Sequence, residues 1–305
     1  ERAPWFKGVN PCAEILLGNK TFCNLTEIDL GKFMGDHAGL IRALKLTARA
    51  NYRQTCVDLN DGVLQEAWHL NNQFLHLCGV GLTGIARRKN LGAYDYKQMQ
   101  RIATSAAYRM ADELDLPRPK NVTTVKPSGT LSKIMDTTEG VHKPLGKYIF
   151  NNVNFSKHDP LIDILRSANY NVFDHPTDPE GILVTFPIHY KDVEFDKKNK
   201  KEVNLESAID QLERYKLLQN NWCQQNVSAT ISYSPDEVDS IIEWLYHNWD
   251  NYVGVAFMYR ADPTKTAKDL GYLYLPQEVV TKQEYDTYVE RLLPIDLEGA
   301  NTFEE

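Results

Sequence analysis

The chain has 305 residues, of which 42% are hydrophobic and 25% are charged, a composition that suits one α/β domain or a domain and a half. Its net charge of −7 argues against a nucleic-acid-binding surface, which requires a basic face. The sequence contains no apolar run of about eighteen residues and no apolar signal core in residues 1–6, so neither a membrane span nor a secretory leader is predicted.

The first informative segment is Val9-Asn10-Pro11-Cys12-Ala13-Glu14, followed by Cys23 eleven residues after Cys12. Asn10, Cys12 and Glu14 are spaced at i, i+2 and i+4, so an extended or looped backbone is expected to point all three side chains the same way. A radical-forming thiol beside a general base is suited to breaking C–O bonds in a sugar. The alternative is a buried structural cysteine next to a solvated glutamate.

The middle of the chain is predicted to be largely helical. Asp36 is a candidate N-cap for a helix over 37–55, and a second helix is expected over 64–77. The glycine-rich segment 78–84 lacks the G-x-G-x-x-G spacing, so we expect a turn packed against a helix and no dinucleotide site. Apolar periodicity predicts a third helix over 94–116, ended by the prolines that follow it.

The rest of the chain is predicted to alternate between strands and helices. Strands are expected over 121–125, 148–155, 182–189, 227–233 and 253–258, helices over 160–168, 206–219 and 235–248, and a charged loop or hairpin over 192–203. This alternation is typical of an α/β layer or barrel with parallel strands.

The segment Pro127-Ser128-Gly129-Thr130-Leu131-Ser132 follows a predicted strand and opens a predicted helix. Free backbone N–H groups, the helix dipole and the hydroxyls can form a phosphate cradle there, and Gly129 allows close approach of the backbone. Lys126 is a candidate for adding positive charge. The alternative is that Ser128 only caps the helix.

Five cysteines at irregular spacing do not fit the disulfide framework of a secreted protein, and we expect a reducing, cytoplasmic setting. Cys56, Cys78 and Cys223 match no motif and are interpreted as buried thiols. Because the sequence has no C-x-x-C pair and no Cys/His cluster, no metal site is predicted.

Several of these motifs, taken in order, resemble ribonucleotide reductases. The matching segments are Asn10–Glu14 with Phe22–Leu25, Thr123–Ser132, Glu139–His142 and, more loosely, Asn226–Thr230. The short interval from Cys12 to Cys23 resembles the monomeric, adenosylcobalamin-dependent (class II) branch, since the iron-dependent class I enzymes have a longer interval. The resemblance implies the C-terminal part of a ten-stranded α/β barrel with an active-site finger loop.

The resemblance also implies a domain organisation. Residues 1–260 are expected to form the second part of the barrel, with the catalytic loop at 9–25 and the phosphate loop at 126–132, and residues 261–305 are expected to form a C-terminal extension. The tail over 295–305 lacks the cysteine pair with which the family passes electrons inward. The catalytic loop lies only nine residues in, whereas relatives carry a long segment before it, so we expect the chain to need a missing N-terminal segment or partner chain.

The resemblance assigns roles to four residues of the catalytic loop. Cys12 is expected to be the thiyl radical that takes hydrogen from ribose C3′, at a loop tip shielded from water. Glu14 is the expected general base on the 3′-OH, and Asn10 orients Glu14 or a ribose hydroxyl, or is simply a turn residue before Pro11. Cys23 is the expected redox-active thiol, with a partner thiol upstream of this chain. His142 matches a family loop, but its role stays open.

The expected substrate is a ribonucleoside di- or triphosphate, whose phosphates bind residues 127–132. The resemblance implies adenosylcobalamin as cofactor, with its binding segment outside this chain, and a thioredoxin-like reductant. A metal-based radical generator in a second subunit is an alternative. A second hypothesis is a non-catalytic nucleotide-binding or assembly subunit that completes a split reductase. A glycyl-radical relative is disfavoured by Glu14 within the cysteine motif.

Overall fold

A computed structural model describes residues 3–60 and 62–295 of the chain. The elements up to residue 156 are, in chain order, β1 Gly8–Val9, β2 Leu16–Leu17, β3 Asn24–Asp29, α1 His37–Gln54, α2 Glu66–Leu75, β4 Cys78–Thr83, α3 Ala93–Glu113, β5 Thr123–Thr124, α4 Gly129–Ile134 and β6 Tyr148–Ser156. They continue with α5 Leu161–Ser167, β7 Val172–Asp174, β8 Gly181–His189, β9 Asp196–Lys198, β10 Lys201–Val203, α6 Ala208–Asn221, β11 Thr230–Tyr233, α7 Val238–His247, β12 Ala256–Tyr259, α8 Ala267–Leu270, β13 Gln277–Val279 and α9 Lys282–Glu290. Among these helices, none has the length and apolar character needed to cross a bilayer.

The chain divides into two compact units. Unit 1 contains the residues up to Lys143 and Glu206–Arg260, and unit 2 contains Pro144–Leu205 and the residues from Ala261 onward. The sequence analysis placed residues 1–260 in one domain. In the structure the segment Pro144–Leu205 belongs with the C-terminal part, because β13 pairs with β6 in one sheet. The C-terminal tail that lacks a cysteine pair lies outside the described residues from residue 296 onward.

Unit 1 is built on parallel strands. β3, β4 and β5 form a parallel sheet in which Asn24 lies opposite Cys78 and Val80 lies opposite Thr123. A parallel bridge joins Val125 to Val227, and β11 then pairs in parallel with β12. The predicted parallel α/β arrangement is therefore observed in this unit.

Helices α1 and α3 pack with these strands into one hydrophobic core. Helix α1 begins where predicted, since the Asp36 carboxylate accepts a hydrogen bond from the Gly39 backbone N–H at 2.7 Å. Small and flexible side chains of α3, namely Met99, Ala103, Ala106, Ala107 and Met110, are buried along one face and allow close helix packing.

Most of the glycine-rich segment is a strand, so the prediction of a turn was wrong for residues 78–83. These residues form β4, which is buried throughout at the centre of its sheet, and only Gly84, with a φ of +69°, turns the chain. A Cβ added to Gly79 would lie 2.6 Å from Leu25 Cδ2 and 2.8 Å from Ile15 Cδ1. The glycines are therefore explained by close packing of neighbouring side chains against the strand.

Unit 2 is built on an antiparallel sheet of order β13-β6-β8-β7, with a separate β9–β10 hairpin at the charged segment. Strands β6 and β8 pair from Tyr148 opposite His189 to Ser156 opposite Gly181. The expectation of parallel strands was wrong here. Helix α5, which lies between β6 and β8 in the sequence, does not connect two parallel strands. Strand β8 pairs antiparallel with both β6 and β7.

Candidate active site

The cysteine motif lies in a tight β-hairpin of unit 1. Strands β1 and β2 pair with Val9 opposite Leu16, and the backbone N–H of Ala13 donates to the Asn10 carbonyl at 2.8 Å. Ala13 has a φ of +61°, which turns the chain sharply. Cys12 is exposed beside this turn, whereas Glu14 is buried. The expected shielding of Cys12 from water is not observed in the described chain.

The hairpin is anchored by residues far along the sequence. The Glu14 carbonyl accepts hydrogen bonds from the Asn226 backbone N–H at 3.1 Å and from Thr124 Oγ1 at 2.8 Å. Asn226 Nδ2 donates to the Ala13 carbonyl at 2.8 Å, and the Leu16 N–H donates to Gln225 Oε1 at 2.9 Å. Sequence reasoning missed Gln225, included Thr124 only as part of the matched segment Thr123–Ser132, and included Asn226 only as a loose motif match. The signal in the sequence for these anchoring residues was the polar run Gln224–Asn226, directly before the predicted strand over 227–233.

The Glu14 side chain is 2% exposed, and its Oε2 atom has no hydrogen-bond partner among the described residues. A buried carboxylate oxygen without a donor is unfavourable, since most buried polar atoms are hydrogen-bonded. Glu14 therefore has the capacity to accept a hydrogen bond, or a proton, from a bound hydroxyl.

Cys23 lies immediately before β3 and beside the hairpin. Asn10 Nδ2 donates to Cys23 Sγ at 3.6 Å, while Asn10 Oδ1 accepts from the Ile15 backbone N–H at 2.9 Å. The second bond supports the interpretation of Asn10 as a turn residue. Its carboxamide bonds the thiol of Cys23, and no bond from it to Glu14 is observed among the described residues.

The surroundings of Cys23 disfavour its thiolate. Loss of hydration on its protein side raises the pKa of Cys23 to about 12, and the negative charges of Glu14 and an ionised Cys12 act in the same direction. Lys126 opposes them more weakly. Because Cys23 is exposed on its other side, solvent screens part of this effect, but the direction keeps the sulfur protonated at neutral pH. Cys12, Glu14 and Lys126 thus all lie close enough to Cys23 to change the pKa of its thiol.

The predicted phosphate loop precedes α4, which is only six residues long. The backbone N–H groups of Gly129, Thr130 and Leu131 precede the first hydrogen bond of this helix, which runs from Ser132 N to Ser128 O at 2.9 Å. Gly129 and Thr130 are exposed. Because the helix is so short, these free N–H groups attract an anion more strongly than the helix dipole does.

Ser128 does not cap α4, so the capping alternative was wrong. Its φ is +60°, and its hydroxyl donates to Glu27 Oε2 at 2.6 Å. The same carboxylate oxygen lies 3.5 Å from Lys126 Nζ. Sequence reasoning missed Glu27, because nothing in the pattern of β3 indicates that its side chain contacts a loop about a hundred residues later.

His142 has a structural contact in unit 1. Its Nε2 accepts the backbone N–H of Thr230 at 3.0 Å, and burial lowers the pKa of the imidazole, so the ring stays neutral. Of the remaining cysteines, Cys78 and Cys223 are buried and Cys56 is half-buried. Across residues 3–60 and 62–295, no group of three or more potential ligands is arranged to hold a metal.

Comparison with known proteins gives a consistent family resemblance. No protein-family model matches the chain. It is 26% identical over 307 residues to a probable adenosylcobalamin-dependent ribonucleoside-triphosphate reductase of Dictyostelium discoideum, covering 96% of this chain and 38% of that protein. It is 27% identical over 314 residues to the adenosylcobalamin-dependent ribonucleoside-triphosphate reductase of Lactobacillus gasseri, covering 92% of this chain and 40% of that protein.

The chain is similar to adenosylcobalamin-dependent ribonucleoside-triphosphate reductases. The resemblance inferred from the motifs is thereby confirmed, and this chain spans about two fifths of the length of these relatives.

Solved structures of reductases share the fold. A crystal structure of a B12-dependent (class II) ribonucleotide reductase matches with a TM-score of 0.81 at 20% identity, covering 99% of this chain and 45% of that one. The class Id ribonucleotide reductase alpha subunit of Actinobacillus ureae matches with a TM-score of 0.53 at 13% identity, covering 83% of this chain and 53% of that one. The mixed α/β fold of this chain is therefore that of a class II reductase over the part it spans.

Proposed function

We propose that the chain forms the catalytic part of a ribonucleotide reductase, which reduces ribonucleoside di- or triphosphates to 2′-deoxyribonucleotides by thiyl-radical chemistry. The observation that carries this proposal is the grouping of Cys12, Glu14 and Cys23 by one hairpin and the start of one strand, where the charges of Glu14 and Cys12 both raise the pKa of Cys23. The curated relatives act on triphosphates, which favours a triphosphate substrate.

In this mechanism Cys12 and Glu14 act on the same ribose. The Cys12 sulfur, as a thiyl radical, takes the hydrogen atom from C3′ and later returns it. Glu14 accepts the proton of the 3′-OH, and the C2′ hydroxyl takes up one proton, supplied by a reducing thiol, and leaves as water. The unpartnered Oε2 atom of Glu14 supports this role, since a substrate hydroxyl would supply the missing donor.

Cys23 supplies the reducing equivalent as a protonated thiol. Its raised pKa supports this role, because a hydrogen donor must retain its S–H bond at neutral pH. Oxidation of Cys23 yields a disulfide with a second thiol, whose Cα atom must approach to less than about 7 Å. We place that thiol in a segment preceding this chain, and we propose a thioredoxin-like protein as the external reductant.

Residues Pro127, Ser128, Gly129, Thr130, Leu131 and Ser132 are proposed to bind the substrate phosphates. The exposed backbone N–H groups that precede the first bond of α4 support this assignment. Lys126 adds a positive charge at the edge of the loop.

Adenosylcobalamin is the proposed cofactor, and when bound it supplies the radical that oxidises a thiol. The accessible sulfur of Cys12 is compatible with a radical source that approaches from outside this chain. We assign no described residue to cobalamin binding. The residues of this chain instead position Cys12 through the anchored hairpin and hold Glu14 ready for the proton.

The parallel strands of unit 1 are proposed to be the second part of a ten-stranded barrel, which was expected to take up residues 1–260. The segment expected as an extension, from residue 261 onward, belongs to unit 2 together with Pro144–Leu205. The strand β12 has apolar side chains that are exposed along its length, including Phe257, Met258 and Tyr259. An exposed apolar strand of this kind favours pairing with a further strand, which we assign to the missing N-terminal segment or chain.

The same exposed strand favours a second candidate function. The chain would then be a non-catalytic nucleotide-binding or assembly subunit that completes a barrel begun by another polypeptide. Loss of Cys12 separates the two candidates, since only the catalytic role requires the sulfur.

The direct test is Cys12→Ser in the complete enzyme. A hydroxyl O–H bond is too strong to form the equivalent radical, so deoxynucleotide formation is expected to fall to background while nucleotide binding persists. Cys56→Ser, which changes a half-buried thiol outside the group, is the matched control and is expected to stay active. Appreciable turnover by Cys12→Ser would reject the radical role.

A further inference from the structure

Glu27 is buried in unit 1 without full compensation. Its side chain is 0% exposed, and its Oε1 atom has no hydrogen-bond partner within the described part of the chain. The other oxygen, Oε2, accepts the Ser128 hydroxyl at 2.6 Å and lies 3.5 Å from Lys126 Nζ. Glu27 therefore contacts Ser128 of the proposed phosphate loop and Lys126 at the edge of that loop. Both contacts are made from the buried side of the loop.

This arrangement conflicts with phosphate binding by the same groups. A hydroxyl has one hydrogen to donate, and a nucleotide phosphate offers only acceptor oxygens. While Ser128 donates to Glu27, it has no hydrogen for a phosphate. Lys126 is likewise drawn toward the Glu27 carboxylate.

We propose that Glu27 is a positioning residue that holds Ser128 and Lys126 until the nucleotide's phosphates replace it, and that it takes up one solvent proton when they do. The inference rests on the proposed function and extends it to Glu27. Once protonated, the Glu27 carboxyl donates to Ser128 Oγ, and the Ser128 hydroxyl then donates to the phosphate. The geometry of Ser128 changes only by rotation of its hydroxyl hydrogen.

The charges around Glu27 support proton uptake on binding. Burial raises the pKa of Glu27 above its ordinary value, and Asp29, two residues on along β3, acts in the same direction. Ser128 and Lys126 lower the pKa of Glu27, and both effects are lost when the Ser128 hydrogen and the Lys126 ammonium group are directed to a phosphate. The residue opposite on β4 is Gly81, which carries no charge. Helix α1 packs on the other face of β3, where Ile28 lies.

The sign of the linkage follows from these contacts. In the complex the pKa of Glu27 is raised further, because a polyanion is added and Lys126 is diverted. Protons are therefore taken up on binding at any pH between the free and bound values, and nucleotide affinity falls as the pH rises through this window. The slope approaches about tenfold in Kd per pH unit for a single group.

The backbone of Ser128 supports a loop held under constraint. Ser128 has a φ of +60°, in the left-handed region that non-glycine residues rarely adopt. The loop is also packed from behind, since a Cβ added to Gly140 would lie 2.5 Å from the Lys126 carbonyl oxygen. The hydrogen bond to Glu27 holds a conformation that the backbone alone disfavours.

The test measures proton uptake when the full-length enzyme binds CTP. Calorimetric titration in two buffers of different ionisation enthalpy gives the number of protons taken up per nucleotide. The wild type is expected to take up on the order of one proton more than Glu27→Gln, whose amide imitates the protonated acid. The pH dependence of Kd in Glu27→Gln is expected to be flatter by up to about tenfold per pH unit. Glu113→Gln, which removes an exposed carboxylate paired with Arg49, is the matched control and is expected to behave as wild type.

The outcomes separate this inference from the proposed function. Equal proton uptake by wild type and Glu27→Gln would overturn the inference and leave the proposed function standing. A wild type that binds no CTP would overturn both. If Glu27→Gln does not fold, infrared difference spectra of the wild type decide instead. Appearance of a protonated carboxylic acid band on CTP binding supports the inference, and its absence overturns it.

Discussion

The side chain of Glu14 is held in the fold with one oxygen lacking a donor. Its backbone carbonyl is bonded by Thr124 and Asn226, so the main chain is fixed while the carboxylate stays available. Such a group stabilises a bound hydroxyl more than it stabilises the empty fold.

Replacing Glu14 by Gln is expected to lower turnover by about 10²–10⁴-fold, because an amide cannot accept the 3′-OH proton. Nucleotide affinity is expected to be largely retained, since the Glu14 carboxylate is distant in sequence from the phosphate loop. No hydrogen bond joins this carboxylate to the loop among the described residues. The measurements are kcat and the nucleotide Kd in the full-length enzyme, with Glu113→Gln as the control for loss of one carboxylate. A normal kcat in Glu14→Gln would remove the general-base role.

The thiol of Cys23 is expected to react slowly with iodoacetamide at neutral pH, because the thiolate is the reactive form and the pKa is raised. The rate is expected to increase about tenfold per pH unit below that pKa. Glu14→Gln removes a negative charge, so it lowers the pKa of Cys23 and accelerates its alkylation at a fixed pH. Mass spectrometry of the modified peptide gives the rates, and equal Cys23 rates in the two proteins would contradict the electrostatic coupling.

At the scale of the element, the hairpin depends on contacts that no local pattern supplies. Asn226 is 0% exposed and uses its side chain three times. Nδ2 donates to Ala13 O and to Gly254 O, and Oδ1 accepts the Tyr215 hydroxyl. This single amide joins the hairpin to helix α6 and to the segment before β12.

Replacing Asn226 by Ala is expected to reduce the free energy of unfolding by about 1–3 kcal/mol, because buried partners are left unsatisfied. It is also expected to reduce turnover, since the hairpin that carries Cys12 loses an anchor. Urea denaturation and kcat provide the measurements. The control is Asn220→Ala, which removes an exposed amide pair with Asn251 and is expected to leave both quantities nearly unchanged. Wild-type values in Asn226→Ala would refute the anchoring role.

Helices with strong apolar periodicity could be predicted from the sequence, and so could the strands that match buried β-branched runs. Helix α1 starts at the predicted residue because Asp36 is a local signal. Strands of two or three residues, such as β7 and β13, were missed because their existence depends on a distant partner strand. The strand over 78–83 was misread as a turn because Gly79 makes room for the Leu25 and Ile15 side chains and does not mark a turn of the backbone.

The candidate active site, like the fold, could be predicted from the sequence only in part. Cys12, Glu14 and Cys23 could be singled out from spacing and resemblance, and in the structure the charges of Glu14 and Cys12 raise the pKa of Cys23. The sequence could not indicate that Asn10 bonds Cys23 or that Ser128 bonds Glu27, since both contacts depend on how the chain folds back.

At the scale of the whole molecule, the chain spans about two fifths of the reductases it resembles. Mixed with a polypeptide that carries the remaining part, the 305-residue chain is expected to gain ribonucleotide reductase activity that neither partner has alone. Met258→Lys is expected to weaken this gain, because it places a charge on the exposed strand β12. Leu46→Lys alters an equally exposed apolar side chain on α1 and is the matched control. Absence of activity with intact nucleotide binding would favour the assembly subunit.

The anchoring of the hairpin also bears on the order in which the protein matures. The hydrogen bond from Asn226 to Ala13 joins residues 213 positions apart in the sequence. Contacts of such long separation form late, because closing so large a loop is entropically unfavourable until other contacts have formed. During synthesis, the hairpin that carries Cys12 and Glu14 therefore lacks this anchor until the polypeptide has been made past position 226.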